Sequence, residues 1–81
     1  MTKRQADLAL LEASRLMLTI IDREKNLNGS KSLIQKAQRR YDALIKLSAS
    51  VILLETDVLP SKLADKVEKK TLEVTMFFFR S

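Results

Sequence analysis

The sequence predicts an all-α protein: a small helical bundle formed by a single domain over residues 1–81. Apolar residues recur at helical spacing through two long segments, which is the main observation behind this prediction. The chain also has one glycine and one proline, too few for the many tight turns of a sandwich of short strands. An apolar content of 46% is ample for a globular core, so we expect the chain to fold.

The first predicted helix runs from Thr2 to about Leu27. Its core-facing residues follow a heptad rhythm in which Glu24 is the one lapse, and nearby apolar residues widen that face. The predicted core face consists of Ala6, Ala9, Leu10, Ala13, Leu16, Met17, Ile20, Ile21 and Leu27. A second apolar stripe lies on the far side of the helix and consists of Leu8, Leu11 and Leu18. A helix with two apolar stripes usually has two neighbours.

The segment NLNGSKSL, residues 26–33, is predicted to break the helix. Gly29 can adopt the left-handed conformation that ends a helix. Ser30 or Ser32 can then cap the next helix, and Ser32 with Gln35 has the spacing of a capping box. A connection this short places the two helices antiparallel, so the sequence predicts a long helical hairpin.

The second predicted helix runs from about Lys31 to Asp57 and has one apolar face. That face consists of Leu33, Ile34, Ala37, Tyr41, Leu44, Ile45, Ser48, Val51 and Ile52. Tyr41 is therefore expected to pack in the core, with its hydroxyl at the rim.

The third element follows a break at Leu59-Pro60-Ser61, because a residue before proline disfavours helix. The stretch KLADKVEKK at its start favours a C-terminal helix. One face of that helix consists of Leu63, Val67, Val74, Phe77 and Phe78, and the opposite face carries Leu72, Met76 and Phe79. A C-terminal strand over residues 71–79 is the alternative, since TLEVTMFFF is rich in β-formers and alternates.

In layout, the short MTK start followed by a helical hairpin resembles the Rop family of plasmid RNA-binding bundle proteins. The resemblance includes no shared specific motif, and this chain continues well past the hairpin. It therefore implies the hairpin and carries no function over to this chain.

Nearly all of the net charge of +5 belongs to one segment. Residues 28–47 carry five basic residues against one acidic residue, whereas residues 48–81 carry five of each sign. The candidate partner-binding face on the second helix consists of Lys36, Arg39, Arg40 and Lys46. Such a local excess favours an acidic protein or a nucleic acid as partner, and a solvated helix face is the third interpretation. No aromatic side chain lies beside these charges to stack on a base, which argues against nucleic acid.

The composition argues against an enzyme, a bound metal and a cofactor. Histidine and cysteine are both absent, which removes the usual base for nucleophilic catalysis and the usual ligands of zinc and copper. A single glycine excludes a phosphate-cradling loop. The adjacent serines and lysines at residues 30–32 and 61–62 fit helix caps better than catalytic groups. We therefore expect no catalytic residue, no cofactor and no small-molecule substrate.

The sequence predicts neither a targeting signal nor a membrane span. The longest apolar segment, residues 8–21, carries two charges and is too short to cross a bilayer. We therefore expect a cytoplasmic protein that does not enter the membrane.

The apolar residues outside the predicted core are the second functional signal. They are Leu8, Leu11, Leu18, Leu72, Met76 and Phe79. These side chains either face each other within one chain or are covered by an oligomer or a partner. A homodimer is expected, because a small core without disulfides gains most from a second copy. The predicted function is a non-enzymatic interaction module, such as an adaptor, inhibitor or chaperone-like accessory protein. A nucleic-acid-binding regulator that uses the second helix is the alternative.

Overall fold

The computed structural model describes residues 1–81 and contains three α-helices and no strand. Helix α1 spans Lys3–Asn26, α2 spans Lys31–Ile52 and α3 spans Ser61–Arg80. The helices hold 81% of the residues, which confirms the all-α prediction. The only β-type contact is an isolated bridge between Thr2 and Val58.

The alternative of a strand over residues 71–79 is wrong, because this segment lies within α3. Val67 and Val74, two helical turns apart, are both fully buried, so the apolar pattern follows the helical period. The hydroxyls of Thr71 and Thr75 each donate to a backbone carbonyl one turn earlier, at 2.8 Å. These bonds accommodate two β-branched residues within the helix.

Helices α1 and α2 form the predicted antiparallel hairpin, joined by residues 27–30. At the open end of the hairpin, the ammonium group of Lys3 donates to the carbonyls of Ile52 at 3.1 Å and Leu54 at 2.9 Å. A cation at the end of α2 satisfies carbonyls that have no helical partner and complements the helix dipole. Lys3 therefore fastens the start of α1 to the end of α2.

Helix α3 runs back parallel to α1, because the segment before it is pinned to the N-terminus. The Leu59 N–H donates to the Met1 carbonyl at 3.1 Å, and the Lys3 N–H donates to the Asp57 carbonyl at 2.6 Å. Among the three helix pairs, α1 packs most closely on α2, and α3 packs more on α1 than on α2. The result is an elongated bundle of 44 × 19 × 15 Å, with α1 touching both other helices.

The core follows the faces predicted for the three helices. Its largest fully buried side chains are Leu10, Met17, Ile20, Leu44, Val51, Val67 and Val74. Tyr41 is half-buried and packs against this core, as expected. Three residues depart from the prediction: Leu27, Ile45 and Ile52 are 73%, 46% and 64% exposed. Leu27 lies at the C-terminal end of α1, beyond the last core turn. Ile45 and Ile52 follow the buried Leu44 and Val51 and lie at the edge of the α2 core face.

The turn between α1 and α2 differs in detail from the prediction. Asn28, and not Gly29, adopts the left-handed conformation, with φ of 50°. The Gly29 N–H donates to the Glu24 carbonyl at 2.7 Å and the Asn28 N–H to the Lys25 carbonyl at 3.4 Å. This is the Schellman pattern of helix ends, with asparagine at the left-handed position. Gly29 instead allows close approach, since the Glu24 side chain occupies the space that a Cβ atom would need.

The start of α2 agrees with the prediction, and its end does not. Of the two serines that could cap the helix, Ser30 does so, accepting a hydrogen bond from the Leu33 N–H at 3.2 Å, and the capping box of Ser32 does not form. The helix ends at Ile52, five residues before the predicted Asp57. It ends early because the following residues bond to the N-terminal segment and bury Leu59 instead of continuing the helix.

Candidate nucleic-acid or acidic-partner interface

An open groove lies between α2 and α3, the pair of helices that pack least closely. One stretch of it is lined by Ala43, Lys46 and Leu47 from α2 and by Lys66, Lys69, Lys70 and Glu73 from α3. The adjoining stretch is lined by Arg40, Lys69, Leu72, Glu73, Met76, Phe77 and Arg80. Because the two stretches share Lys69 and Glu73, they form one surface, which we call the basic groove.

The basic groove collects cations from two helices. Six cationic side chains line it: Arg40, Lys46, Lys66, Lys69, Lys70 and Arg80. Glu73 is its only carboxylate. The cations of α3 lie together because residues three or four apart share one face of a helix. The neighbouring face of α3 carries Val67 and Val74, which are buried in the core.

Most of this positive charge has no counterion within the protein. The structure contains two ion pairs, and only the 3.1 Å pair of Lys70 with Glu73 lies in the groove. No carboxylate lies within ion-pairing distance of the ammonium groups of Lys46, Lys66 and Lys69. Like charges gathered in a concave surface strengthen the local potential, so the groove attracts anions.

Arg40 is the most constrained cation of the groove. Its guanidinium lies 4.0 Å from the centroid of the Phe77 ring, and one terminal nitrogen donates to the Lys36 carbonyl at 3.0 Å. Its Nε atom is buried and has no hydrogen-bond partner. The side chain is half-buried and lacks a carboxylate partner. Stacking on an aromatic face therefore holds a cation in place while leaving its charge uncompensated.

Apolar side chains lie among these charges. Ala43 and Leu47 of α2 line the first stretch, and Leu72, Met76 and Phe77 of α3 line the second. Leu72 and Met76 are 62% and 43% exposed, so a partner in the groove would cover them. A surface with both cations and apolar side chains can bind a partner that is acidic and apolar at once.

The structure divides the predicted basic face of the second helix. Arg40 and Lys46 line the basic groove, whereas Lys36 and Arg39 are exposed on α2 and line neither stretch. The cationic groove residues of α3 were missed by sequence reasoning, because residues 48–81 are electrically neutral as a whole. Leu72 and Met76 of α3, predicted as apolar contact residues, do line the groove. The spacing of Lys66, Lys69 and Lys70 on one helical face was the signal that could have identified them.

The predicted apolar surface is divided as well. Leu8, Leu11 and Leu18 are 52%, 47% and 41% exposed on α1, and the α3 residues are exposed on a different helix. The interpretation that the two sets cover each other within one chain is therefore wrong. The reason is that Leu8, Leu11 and Leu18 lie on the side of α1 that packs against neither α2 nor α3. Phe79 is 78% exposed and lines a shallow groove between α3 and α1.

The structure contains no group of three Asp or Glu side chains arranged to hold a metal ion. None of the three helices has the length and apolar character needed to cross a membrane. Comparison with known proteins found no matching family model, no matching curated protein and no matching solved structure.

Proposed function

We propose that this chain is a non-enzymatic protein-interaction module, an adaptor, inhibitor or chaperone-like accessory protein, that binds an acidic partner in the basic groove. The observation that carries the proposal is the groove itself, in which six cationic side chains meet one carboxylate. Complementary charge accelerates association and selects the partner, whereas the apolar side chains supply contact area.

The groove favours a partner segment that is an amphipathic helix. It runs between two packed helices, and a further helix can lie in such a groove with its apolar side inward. Leu72 and Met76 would meet that apolar side. Lys46, Lys66 and Lys69 would meet acidic side chains along its flanks.

Nucleic acid is the alternative partner, because the same cations could neutralise phosphates. The aromatic ring in the groove argues against it. Phe77 is the only aromatic residue lining the groove, and the guanidinium of Arg40 covers its face. A base in the groove would therefore have to compete with Arg40 for the face of this ring.

We also propose that the protein forms a homodimer. The exposed side chains of Leu8, Leu11 and Leu18 support this, because they form an apolar stripe that neither α2 nor α3 covers. A small core without disulfides gains stability when such a stripe is covered by a second copy.

A binding experiment with defined probes tests the acidic-partner proposal. One probe is a synthetic peptide that forms a helix with leucines on one side and glutamates on both flanks. Its control is a peptide of the same composition in scrambled order, and the third probe is a short DNA duplex. We expect the helical peptide to bind at least about tenfold more tightly than the duplex at physiological salt.

The outcomes separate the two candidate functions. Binding of the duplex that exceeds peptide binding, and falls steeply with added salt, would favour the nucleic-acid-binding regulator. If neither acidic peptide binds at micromolar concentration, the proposed function is contradicted. Equal binding of the helical and scrambled peptides would retain an acidic partner and reject the helical form.

A further inference from the structure

The exposed face of α1 carries charges as well as the three leucines. We call it the outer α1 face, and it consists of Arg4, Leu8, Leu11, Arg15, Leu18 and Asp22. At 100° per residue, these six positions lie within about 80° of one another. All six side chains are exposed, and neither ion pair of the structure includes any of them.

We propose that two copies pair through the outer α1 face, with the two α1 helices antiparallel about a two-fold axis near residue 13. This inference rests on the self-association proposed above and adds to it the face, the direction and the register. A two-fold interface brings the same surface of both copies together, so that surface must be complementary to itself.

The outer α1 face is complementary to itself in the charges at its two ends. Arg4 and Asp22 stand near opposite ends of α1, about 27 Å apart at 1.5 Å per residue. Antiparallel pairing brings Arg4 of each copy to Asp22 of the other. Parallel pairing would bring like charges together at both ends, which disfavours association. The charges therefore select the antiparallel direction.

The leucines give the same register as the charges. The midpoint between Arg4 and Asp22 is residue 13, and the midpoint between Leu8 and Leu18 is also residue 13. One register therefore pairs Arg4 with Asp22 and Leu8 with Leu18, each pair occurring twice by symmetry. Leu11 lies two residues from that midpoint, so its two copies meet about 6 Å apart along the helix axis.

In this register Arg15 of each copy lies opposite Leu11 of the other, near the middle of the interface. The long aliphatic stem of arginine can pack beside the leucines while its guanidinium reaches solvent at the border. The interface therefore has leucines at its centre and ion pairs at its ends, an arrangement usual in protein interfaces. Only one helix face of each copy takes part, so the contact area is small and we expect a dissociation constant in the micromolar range. The outer α1 face points away from both other helices, so pairing leaves the basic groove of each copy open. A dimer would then offer two grooves, which strengthens binding to a partner with two acidic segments.

Disulfide trapping tests the direction and register, because the natural chain contains no cysteine. Leu8→Cys and Leu18→Cys are prepared separately and oxidised alone or mixed. We expect a disulfide-linked dimer from the mixture and little from either variant alone. In the proposed register, two copies of residue 8 lie about 15 Å apart along the axis, beyond the reach of a disulfide. A parallel dimer would cross-link each variant with itself.

A charge exchange provides the second test, measured by sedimentation of the cysteine-free protein. Arg4→Asp and Asp22→Arg should each weaken the dimer by about tenfold, since each places like charges together twice. The double variant should restore the original affinity. Glu68→Arg, which reverses an exposed acidic residue on α3 instead of α1, is the control and should have little effect.

The outcomes distinguish this inference from the proposal on which it rests. A natural protein that stays monomeric at high micromolar concentration would overturn self-association altogether. A dimer in which each cysteine variant links to itself, or in which the double variant is no stronger than the single ones, would overturn only the register.

Discussion

The guanidinium of Arg40 lies 4.0 Å from the centroid of the Phe77 ring, and this contact joins α2 to α3 where the two helices border the basic groove. These are the two helices that pack least closely. A contact between a cation and an aromatic face also holds a charged residue beside a binding surface without neutralising it. Arg40 and Phe77 therefore contribute both to the bundle and to the groove.

The first prediction concerns the loss of this ring. Phe77→Ala should lower the free energy of unfolding by about 2–3 kcal/mol, because it removes a half-buried ring and its contact with Arg40. Phe77→Leu is the control, since it keeps an apolar side chain and removes only the aromatic face, and it should cost about 1 kcal/mol. Chemical denaturation followed by circular dichroism measures both. Equal losses for the two variants would mean that the apolar volume kept by leucine contributes no stability and that the whole loss comes from the aromatic ring.

The sequence predicts the helix faces well because burial depends on periodicity, which is local. Leu10 and Met17 of α1 and Val51 of α2 are fully buried on the faces where the sequence placed them. The end of α2 could not be predicted in the same way. It is set by hydrogen bonds between residues 57–59 and the N-terminal segment, and such contacts between distant parts of the chain leave no periodic signal.

The basic groove was half predictable for a related reason. The local charge excess identified Arg40 and Lys46, because both belong to a segment with a clear net charge. The cations that α3 contributes to the groove were not identified, because the net charge of a segment adds up the charges from every side of a helix. Acidic side chains such as Asp65 and Glu68 cancel the lysines in the sum, yet they do not line the groove.

The second prediction concerns Asn28, the left-handed residue of the turn. Asn28→Ala should destabilise the protein by about 1 kcal/mol, because alanine is strained at a φ of 50°. Asn28→Gly should be neutral or slightly stabilising, since glycine adopts this conformation without a steric penalty. The control is Asn26→Ala, the same substitution two residues earlier within α1, where alanine is favourable. Thermal unfolding measures all three, and equal effects of the two alanine variants would contradict the role of Asn28.

The third prediction concerns Lys3, whose ammonium group donates to the carbonyls of Ile52 and Leu54. Lys3→Met keeps much of the aliphatic length and removes both bonds, so it should destabilise the protein by about 1 kcal/mol. Lys36→Met is the matched control at an exposed lysine and should change stability by less than about 0.5 kcal/mol. Thermal melts at low and high salt should show a smaller difference at high salt. No difference between the variants at low salt would mean that the cap contributes no stability.

The last prediction separates the basic groove from the rest of α2 by reversing equal numbers of charges in each place. Lys46→Glu with Lys69→Glu leaves four cations against three carboxylates in a groove that begins with six against one. Lys36→Glu with Arg39→Glu makes the same change in net charge at two exposed residues that do not line the groove. Both double variants should fold, because each exposed substitution usually changes stability by about 0.5 kcal/mol or less.

Binding of the acidic helical peptide should fall by at least about tenfold for the groove variant, since the reversed charges would lie directly against its carboxylates. The control variant should lose much less, and its loss should disappear at high salt, because charges outside the contact act only through the screened field. Titration calorimetry at two salt concentrations measures both, and circular dichroism verifies that each variant is folded. If the two variants lose affinity equally at both salt concentrations, the net charge of the chain determines binding, and the groove is not the site.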